Sequence, residues 1–131
     1  MAWSLQKPRT KFNATKTVFM GQKYHSKGEA GYAGELQTLK LAGEILSWDR
    51  QVKLDLRVNG KHITNYYMDF AVHLSDGQTV ELREYKGMET GEWKIKWLLL
   101  EATLPDIQER YFPGKEVVMV LVKHQSKWRP K

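Results

Sequence analysis

Residues 66–87 read YYMDFAVHLSDGQTVELREYKG, and this stretch decides the fold of the chain. Apolar, aromatic and β-branched residues lie on both sides of Ser75-Asp76-Gly77, and an Asp-Gly pair in that setting predicts a tight turn between two antiparallel strands. Side chains alternate along a strand with a period of two, so Leu82, Glu84 and Lys86 share one face. The first residue of this face, Leu82, is apolar and belongs to the predicted core, whereas the last two are charged.

Asp69 lies on the strand that precedes this turn. The hairpin therefore brings two carboxylates, from Asp69 and Glu84, and the ammonium group of Lys86 within reach of one point. Such a group suits a hard divalent cation and a reacting phosphate. The alternative is a solvated strand end, because acids and lysines are common there and the spacing E-x-K also arises by chance.

Asp69 followed by Glu84-Tyr85-Lys86 resembles the PD-(D/E)XK nuclease superfamily, whose hallmark is an Asp and then a (D/E)-x-K on the next strand. The resemblance covers residues 23–122. Its further pieces, in order, are Ser26-Lys27-Gly28-Glu29, Leu41-Ala42-Gly43-Glu44-Ile45, Gln51, and Thr90 with Lys94 and Lys96. That order looks like a group of small phage-encoded endonucleases, similar to the phage endonuclease I type of Holliday junction resolvase.

The resemblance implies an α/β fold with a restriction-endonuclease-like core, in which helices flank a mixed central sheet in the order αβββαβ. It places the nuclease domain at residues 23–122, between a basic N-terminal arm at 1–22 and a basic C-terminal tail at 123–131. Met68 stands where the superfamily motif has proline, and the interval from Asp69 to Glu84 is longer than in compact members.

The resemblance also implies the site residues. The catalytic set is Glu29, Asp69, Glu84 and Lys86, and the metal ligands are Asp69, Glu84, the backbone carbonyl of Tyr85, and Glu29. The expected cofactor is Mg²⁺, with Mn²⁺ as a substitute. The sequence allows a second interpretation of Glu29, as the partner of Ser26 in a capping box. Glu35 is then the alternative helix-borne acid.

Charge is unevenly distributed along the chain, whose net charge is +6. Residues 1–27 carry six bases and no acid, and residues 123–131 carry four bases and no acid, which leaves eleven bases against 15 acids between them. Basic ends can grip a phosphate backbone, or they can simply keep a protein soluble. The candidate DNA-binding residues are Lys7, Arg9, Lys11, Lys16, Lys23, Lys27, Lys94, Lys96, Lys127 and Arg129.

The chain contains no cysteine, which excludes a disulfide framework and a thiolate zinc site. Its longest apolar run, residues 97–100, is too short to span a bilayer, and the N-terminus has no apolar signal segment. We therefore expect an intracellular protein with no membrane partner, and the resemblance to phage-encoded endonucleases implies the cytoplasm of a bacterial or phage-infected cell.

Patterns elsewhere predict the remaining elements. We expect a helix over 26–41, a strand over 45–58 and a helix over 90–102 that Thr90 caps and Pro105 ends. Asn59-Gly60 predicts a turn, although a loop over 58–64 is also possible. Residues 106–111 suggest a short helical piece, and the apolar run 117–122 suggests a parallel strand buried on both faces.

Together these features predict a metal-dependent endonuclease that hydrolyses DNA phosphodiester bonds in phage DNA processing. No base-reading module is recognisable, so the preferred substrate is branched DNA such as a Holliday junction, recognised by backbone and shape. Cutting a junction symmetrically would call for a two-fold dimer, and the resemblance to the resolvases implies that the protein is a homodimer. The alternatives are a general or nicking DNA endonuclease and a non-catalytic DNA-binding protein on a nuclease fold.

Overall fold

The computed structural model describes residues 17–19, 22–24, 27–86 and 89–123. Two short strands come first, β1 (Thr17–Phe19) and β2 (Gln22–Tyr24), and helix α1 (Lys27–Leu41) follows. The centre of the chain forms β3 (Ile45–Val58), β4 (Lys61–Leu74) and β5 (Thr79–Lys86). Helices α2 (Gly91–Ala102) and α3 (Leu104–Tyr111) lead to the final described strand, β6 (Glu116–Lys123).

The main sheet has the strand order β3-β4-β5-β6. β3, β4 and β5 are antiparallel neighbours, whereas β5 and β6 are parallel, with Leu82 opposite Met119. β1 and β2 pair separately as an antiparallel ribbon. The predicted α/β class, with a mixed sheet flanked by helices, is confirmed.

Two apolar clusters cover the two faces of this sheet. On one face the small and aliphatic side of α1, including Ala33 and Leu36, packs on Phe70 and Val72 of β4. On the other face α2 and α3 pack on a larger cluster, whose fully buried members are Leu54, Leu56, Met68, Val80, Leu82, Leu100 and Ile107. Burial of apolar area on both faces is what holds the layers together.

β3 and β4 exchange faces halfway along their length. Trp48 packs on the α1 side, but Val52, which alternation would place on the same face, packs on the α2 side. In β4, Met68 and Phe70 likewise belong to opposite clusters. The backbone of Gln51 adopts a φ of 51°, in the left-handed region, and this single residue turns the following side chains over. The exchange occurs at the level of Asp69.

Two turns lie where the sequence predicts them, one at Asn59-Gly60 and one at Ser75-Asp76-Gly77. Asn59 and Gly60 have φ values of 53° and 81°, as a type I′ hairpin turn requires, so β4 begins at Lys61 and there is no loop over 58–64. In the next turn, Asp76 accepts hydrogen bonds from the backbone N–H groups of Gln78 and Thr79 at 2.8 and 2.9 Å.

Two expectations need correction. Pro105 does not end α2: that helix stops at Ala102, and Pro105 lies in the first turn of α3, where its missing N–H costs nothing. β6 pairs in parallel with β5 at the edge of the sheet, as expected of a parallel strand, but it is not buried on both faces, since Val118 is 38% exposed. The prediction that Thr90 caps α2 is confirmed, since its hydroxyl accepts a hydrogen bond from the N–H of Trp93 at 3.2 Å.

Ser26 lies outside the described residues, as do Lys7, Arg9, Lys11, Lys16, Lys127 and Arg129. The capping box with Glu29 and most of the predicted DNA-binding ends therefore stay predictions. Within the described ranges, no helix combines the length and apolarity that crossing a membrane requires.

Candidate functional site

The candidate site lies where β4 and β5 separate. Their last paired residues are Phe70 and Arg83, and one step further the same register places Asp69 opposite Glu84. There the Asp69 carboxylate accepts a hydrogen bond from the backbone N–H of Tyr85 at 2.9 Å, in place of a strand-to-strand bond. Residues directly opposite in an antiparallel pair project to the same face, so the two acids are neighbours.

Asp69 is held from a second direction by β3. The side-chain amide of Gln51 donates a hydrogen bond to Asp69 Oδ1 at 3.3 Å, while Tyr85 binds Oδ2. The left-handed backbone of Gln51 is what brings its side chain to this position. Burial raises the pKa of Asp69, and the Tyr85 N–H and the charges of Lys86 and Arg50 oppose that rise.

Glu84 is only 5% exposed, at the end of the buried row that begins with Val80 and Leu82. Its Oε2 lies 3.6 Å from the Lys86 amino nitrogen, and its Oε1 has no hydrogen-bond partner among the described residues. Burial raises the pKa of the Glu84 carboxyl and the charge of Asp69 raises it further, while Lys86 lowers it. Asp69 and Glu84 therefore repel each other when both are ionised, and the charge of Lys86 offsets part of that repulsion.

Two aromatic side chains, Trp93 and Tyr66, lie against Lys86 and Glu84. The Lys86 nitrogen lies 5.0 Å from the centre of a Trp93 ring, a cation–π contact. Trp93 Nε1 donates a hydrogen bond to the Tyr66 hydroxyl at 2.8 Å, and Tyr66 in turn interacts with the Glu84 carboxyl. No spacing rule in the sequence reveals this contact, because α2 and β4 meet only in the folded chain.

The structure does not bring Glu29 into this group. Glu29 is buried in the first turn of α1, on the other face of the sheet, and its charge, together with the stronger effect of Glu35, adds to the burial that raises the pKa of Tyr85. In the described part of the chain, no three His, Asp or Glu side chains form a group that could hold a metal ion. The acids that meet are Asp69 and Glu84.

The described basic residues are spread over separate elements. Lys27 is exposed at the start of α1, and Lys94 is exposed on α2, where Lys96 is half-buried. Lys23 lies in β2, and only its backbone is described. Of these, Lys96 is the one on the wall of a recess beside Glu84.

A family model matches residues 9–115 of the chain, a range that includes Asp69, Glu84 and Lys86. No curated protein and no solved structure matches the chain. Because the matched range covers most of the 131 residues, the chain belongs to the family described as protein of unknown function (DUF1064).

Proposed function

We propose that this protein is a metal-dependent endonuclease that hydrolyses DNA phosphodiester bonds. One observation carries the proposal: Asp69 and Glu84 meet at the point where two strands part, with the Lys86 amino nitrogen 3.6 Å from Glu84. The resemblance of Asp69 and Glu84-Tyr85-Lys86 to the PD-(D/E)XK motif supports the same chemistry.

The donor set fits a hard divalent cation. Mg²⁺ prefers oxygen ligands and is commonly held by one or two carboxylates, with waters completing its shell. Asp69 and Glu84 would supply the carboxylates and the Tyr85 carbonyl a third oxygen. Burial raises the pKa of both acids, the charge of Asp69 raises that of Glu84 further, and a bound cation would offset this repulsion. Mn²⁺ should replace Mg²⁺ at the same oxygens.

A bound Mg²⁺ would polarise the scissile phosphate and lower the pKa of the attacking water. Side chains of the protein would position the reacting groups and neutralise charge. Hydrolysis forms a bond from the water oxygen to phosphorus and breaks one bond from phosphorus to a sugar oxygen, which leaves with a proton. Lys86, fixed over Trp93, is placed to orient the water or to neutralise charge on the phosphate oxygens. Gln51 and the Tyr85 N–H keep Asp69 in one orientation.

Branched DNA is the proposed substrate. The support is the resemblance to junction resolvases and the absence of a recognisable base-reading module in the sequence. Symmetric cutting of a four-way junction calls for two sites related by a two-fold axis, so a homodimer is part of the proposal. The basic ends of the chain would add contacts to the phosphate backbone.

The decisive experiment compares cleavage of an immobilised four-way junction with that of a linear duplex of the same sequence, with Mg²⁺ and with EDTA. We expect metal-dependent cutting of the junction by the wild type and none by Asp69→Asn. Equal cutting of both substrates would favour a general or nicking endonuclease. Binding without cutting would overturn the enzymatic proposal and favour a DNA-binding protein.

A further inference from the structure

A recess of about 260 Å³ opens beside Glu84, between β4, the end of β5 and the first turns of α2. Its volume lies just below the range of about 300–1,000 Å³ that is usual for small-molecule pockets, so it suits a group the size of one nucleobase. The side chains that matter for what it could bind are Asn65, Tyr66, Tyr67, Glu84, Trp93 and Lys96.

Aromatic rings line this recess, and one of them is fixed in place. Trp93 donates its Nε1–H to the Tyr66 hydroxyl at 2.8 Å and packs 5.4 Å from the ring of Trp97, so its orientation is set before any ligand arrives. Tyr67 is 42% exposed, which leaves much of its ring available. Base–aromatic stacking tolerates any base, because every base has a π-face.

Polar groups complete the recess. Asn65 also lines the recess, and its side-chain amide offers both a donor and an acceptor to a base edge. Lys96 supplies a half-buried ammonium group on the same wall. An ammonium group next to a stacking surface suits the phosphate that flanks a base.

The recess adjoins the candidate site directly, because Glu84 belongs to both and Lys86 lies against the Trp93 ring. A base held in the recess would therefore belong to a nucleotide next to the phosphate at Lys86. A base can enter such a recess only when it is unpaired and unstacked, and extracting it costs least where the DNA is already branched or single-stranded.

We propose that this recess binds one unpaired nucleobase of a DNA strand, stacked on Tyr67 and Trp93, with Lys96 on the adjoining phosphate. The proposal rests on the endonuclease function and specifies which structure next to the cut is preferred: a junction with an unpaired nucleotide at its branch point. Tyr67, Asn65 and Lys96 become specificity residues, separate from the acids that hold the metal.

The test measures binding without cleavage. DNA carrying a single 2-aminopurine, either unpaired at a branch point or paired within a duplex, is titrated with protein in EDTA. We expect quenching of the unpaired probe, and a loss of affinity in Tyr67→Ala of about 5- to 100-fold, as removal of one stacking partner costs. Lys96→Ala and Asn65→Ala should also weaken binding.

Matched controls are available on β4. Ile63→Ala removes an exposed apolar side chain of β4, and Lys61→Ala removes an exposed lysine of the same strand; neither residue lines the recess. Both should bind the unpaired probe like the wild type. Equal quenching of the paired and unpaired probes, or wild-type affinity in Tyr67→Ala, would overturn the proposal.

This outcome is distinct from failure of the endonuclease proposal. A protein that quenches the unpaired probe in a Tyr67-dependent way but cuts no DNA would support the recess and refute the cleavage. A protein that cuts junctions but shows no such quenching would support the endonuclease proposal and refute base binding in the recess.

Discussion

The Oδ2 atom of Asp69 accepts a hydrogen bond from the backbone N–H of Tyr85 at 2.9 Å, so the acid of β4 is tied to the residue between Glu84 and Lys86. This bond lies just beyond Phe70 and Arg83, the last paired residues of β4 and β5. An acid fixed by a backbone donor needs no side-chain rearrangement before it can bind a cation.

Asp69→Asn should abolish cleavage without disturbing the fold. The asparagine oxygen can still accept the Tyr85 N–H, but the charge that would hold a cation is lost. We expect the cleavage rate to fall by at least about 100-fold, the scale of losing one electrostatic group at a reacting centre. Asp49→Asn, which removes an exposed acid of β3, is the control and should cut normally. An Asp69→Asn protein as active as the wild type would refute the site.

Lys86→Met should reduce cleavage by a similar factor of about 100 while leaving junction binding nearly unchanged. Methionine keeps an apolar chain against Trp93, so the packing survives while the ammonium group 3.6 Å from Glu84 disappears. Gel-based cleavage and binding assays on the same junction separate the two effects. Lys40→Met changes an exposed lysine in the last turn of α1, outside the candidate DNA-binding set, and serves as the control. Undiminished cleavage in Lys86→Met would remove the lysine from the mechanism.

Glu84→Gln should stabilise the protein in alkaline solution and much less in acid. Burial, with the charge of Asp69, raises the pKa of Glu84 to about 8 in the folded state, above the value of about 4.3 expected in the unfolded chain. The folded state therefore binds more protons between these limits, so wild-type stability falls as pH rises through them. Glutamine does not ionise, so the variant keeps the stability that the wild type loses at high pH. We expect its thermal midpoint to be about 3–6 °C higher at pH 9, which corresponds to roughly 1 kcal/mol in the free energy of unfolding. An equal change at pH 4 and pH 9 would contradict this explanation.

Mg²⁺ should raise the thermal midpoint of the wild type at pH 8. A ligand that binds only the folded state stabilises it by about 1.4 kcal/mol when its concentration is ten times its dissociation constant. Asp69→Asn and Glu84→Gln should lose most of this effect, because each removes one carboxylate ligand. Differential scanning fluorimetry with increasing MgCl₂ measures it, and a shift that persists in both variants would place the cation elsewhere.

Tyr111→Phe should lower the stability of the fold and leave DNA cleavage unchanged. The Tyr111 hydroxyl of α3 accepts a hydrogen bond from the backbone N–H of Asp55 in β3 at 2.9 Å, away from Asp69 and Glu84. Its removal leaves a part-buried donor without that partner, at a cost of about 1 kcal/mol. Urea unfolding measures the loss, and cleavage by the folded variant should be unchanged. An unaltered unfolding midpoint would show that water replaces the bond at no cost.

Local sequence chemistry was enough to predict the helices, the strands of the main sheet and the turns between them, but not the short ribbon of β1 and β2. The strand over 45–58 and the Asn59-Gly60 turn have the predicted limits, because a turn pair that favours positive φ separates two β-rich runs. Alternation along β5 likewise placed Glu84 on the buried face with Leu82. These features depend on neighbours in the chain, so a short window of sequence contains them.

The sequence by itself determined the α/β class, the hairpin that carries Asp69 and Glu84, and the uneven charge, all of which are local or compositional. Only the tertiary structure decided that Gln51 turns β3 over to reach Asp69, and that Tyr66 and Trp93 meet beneath Glu84 and Lys86. It also decided that Glu29 stays on the opposite face and that β6 is an edge strand. Contacts between residues far apart in the chain depend on how whole layers pack, which no local pattern encodes.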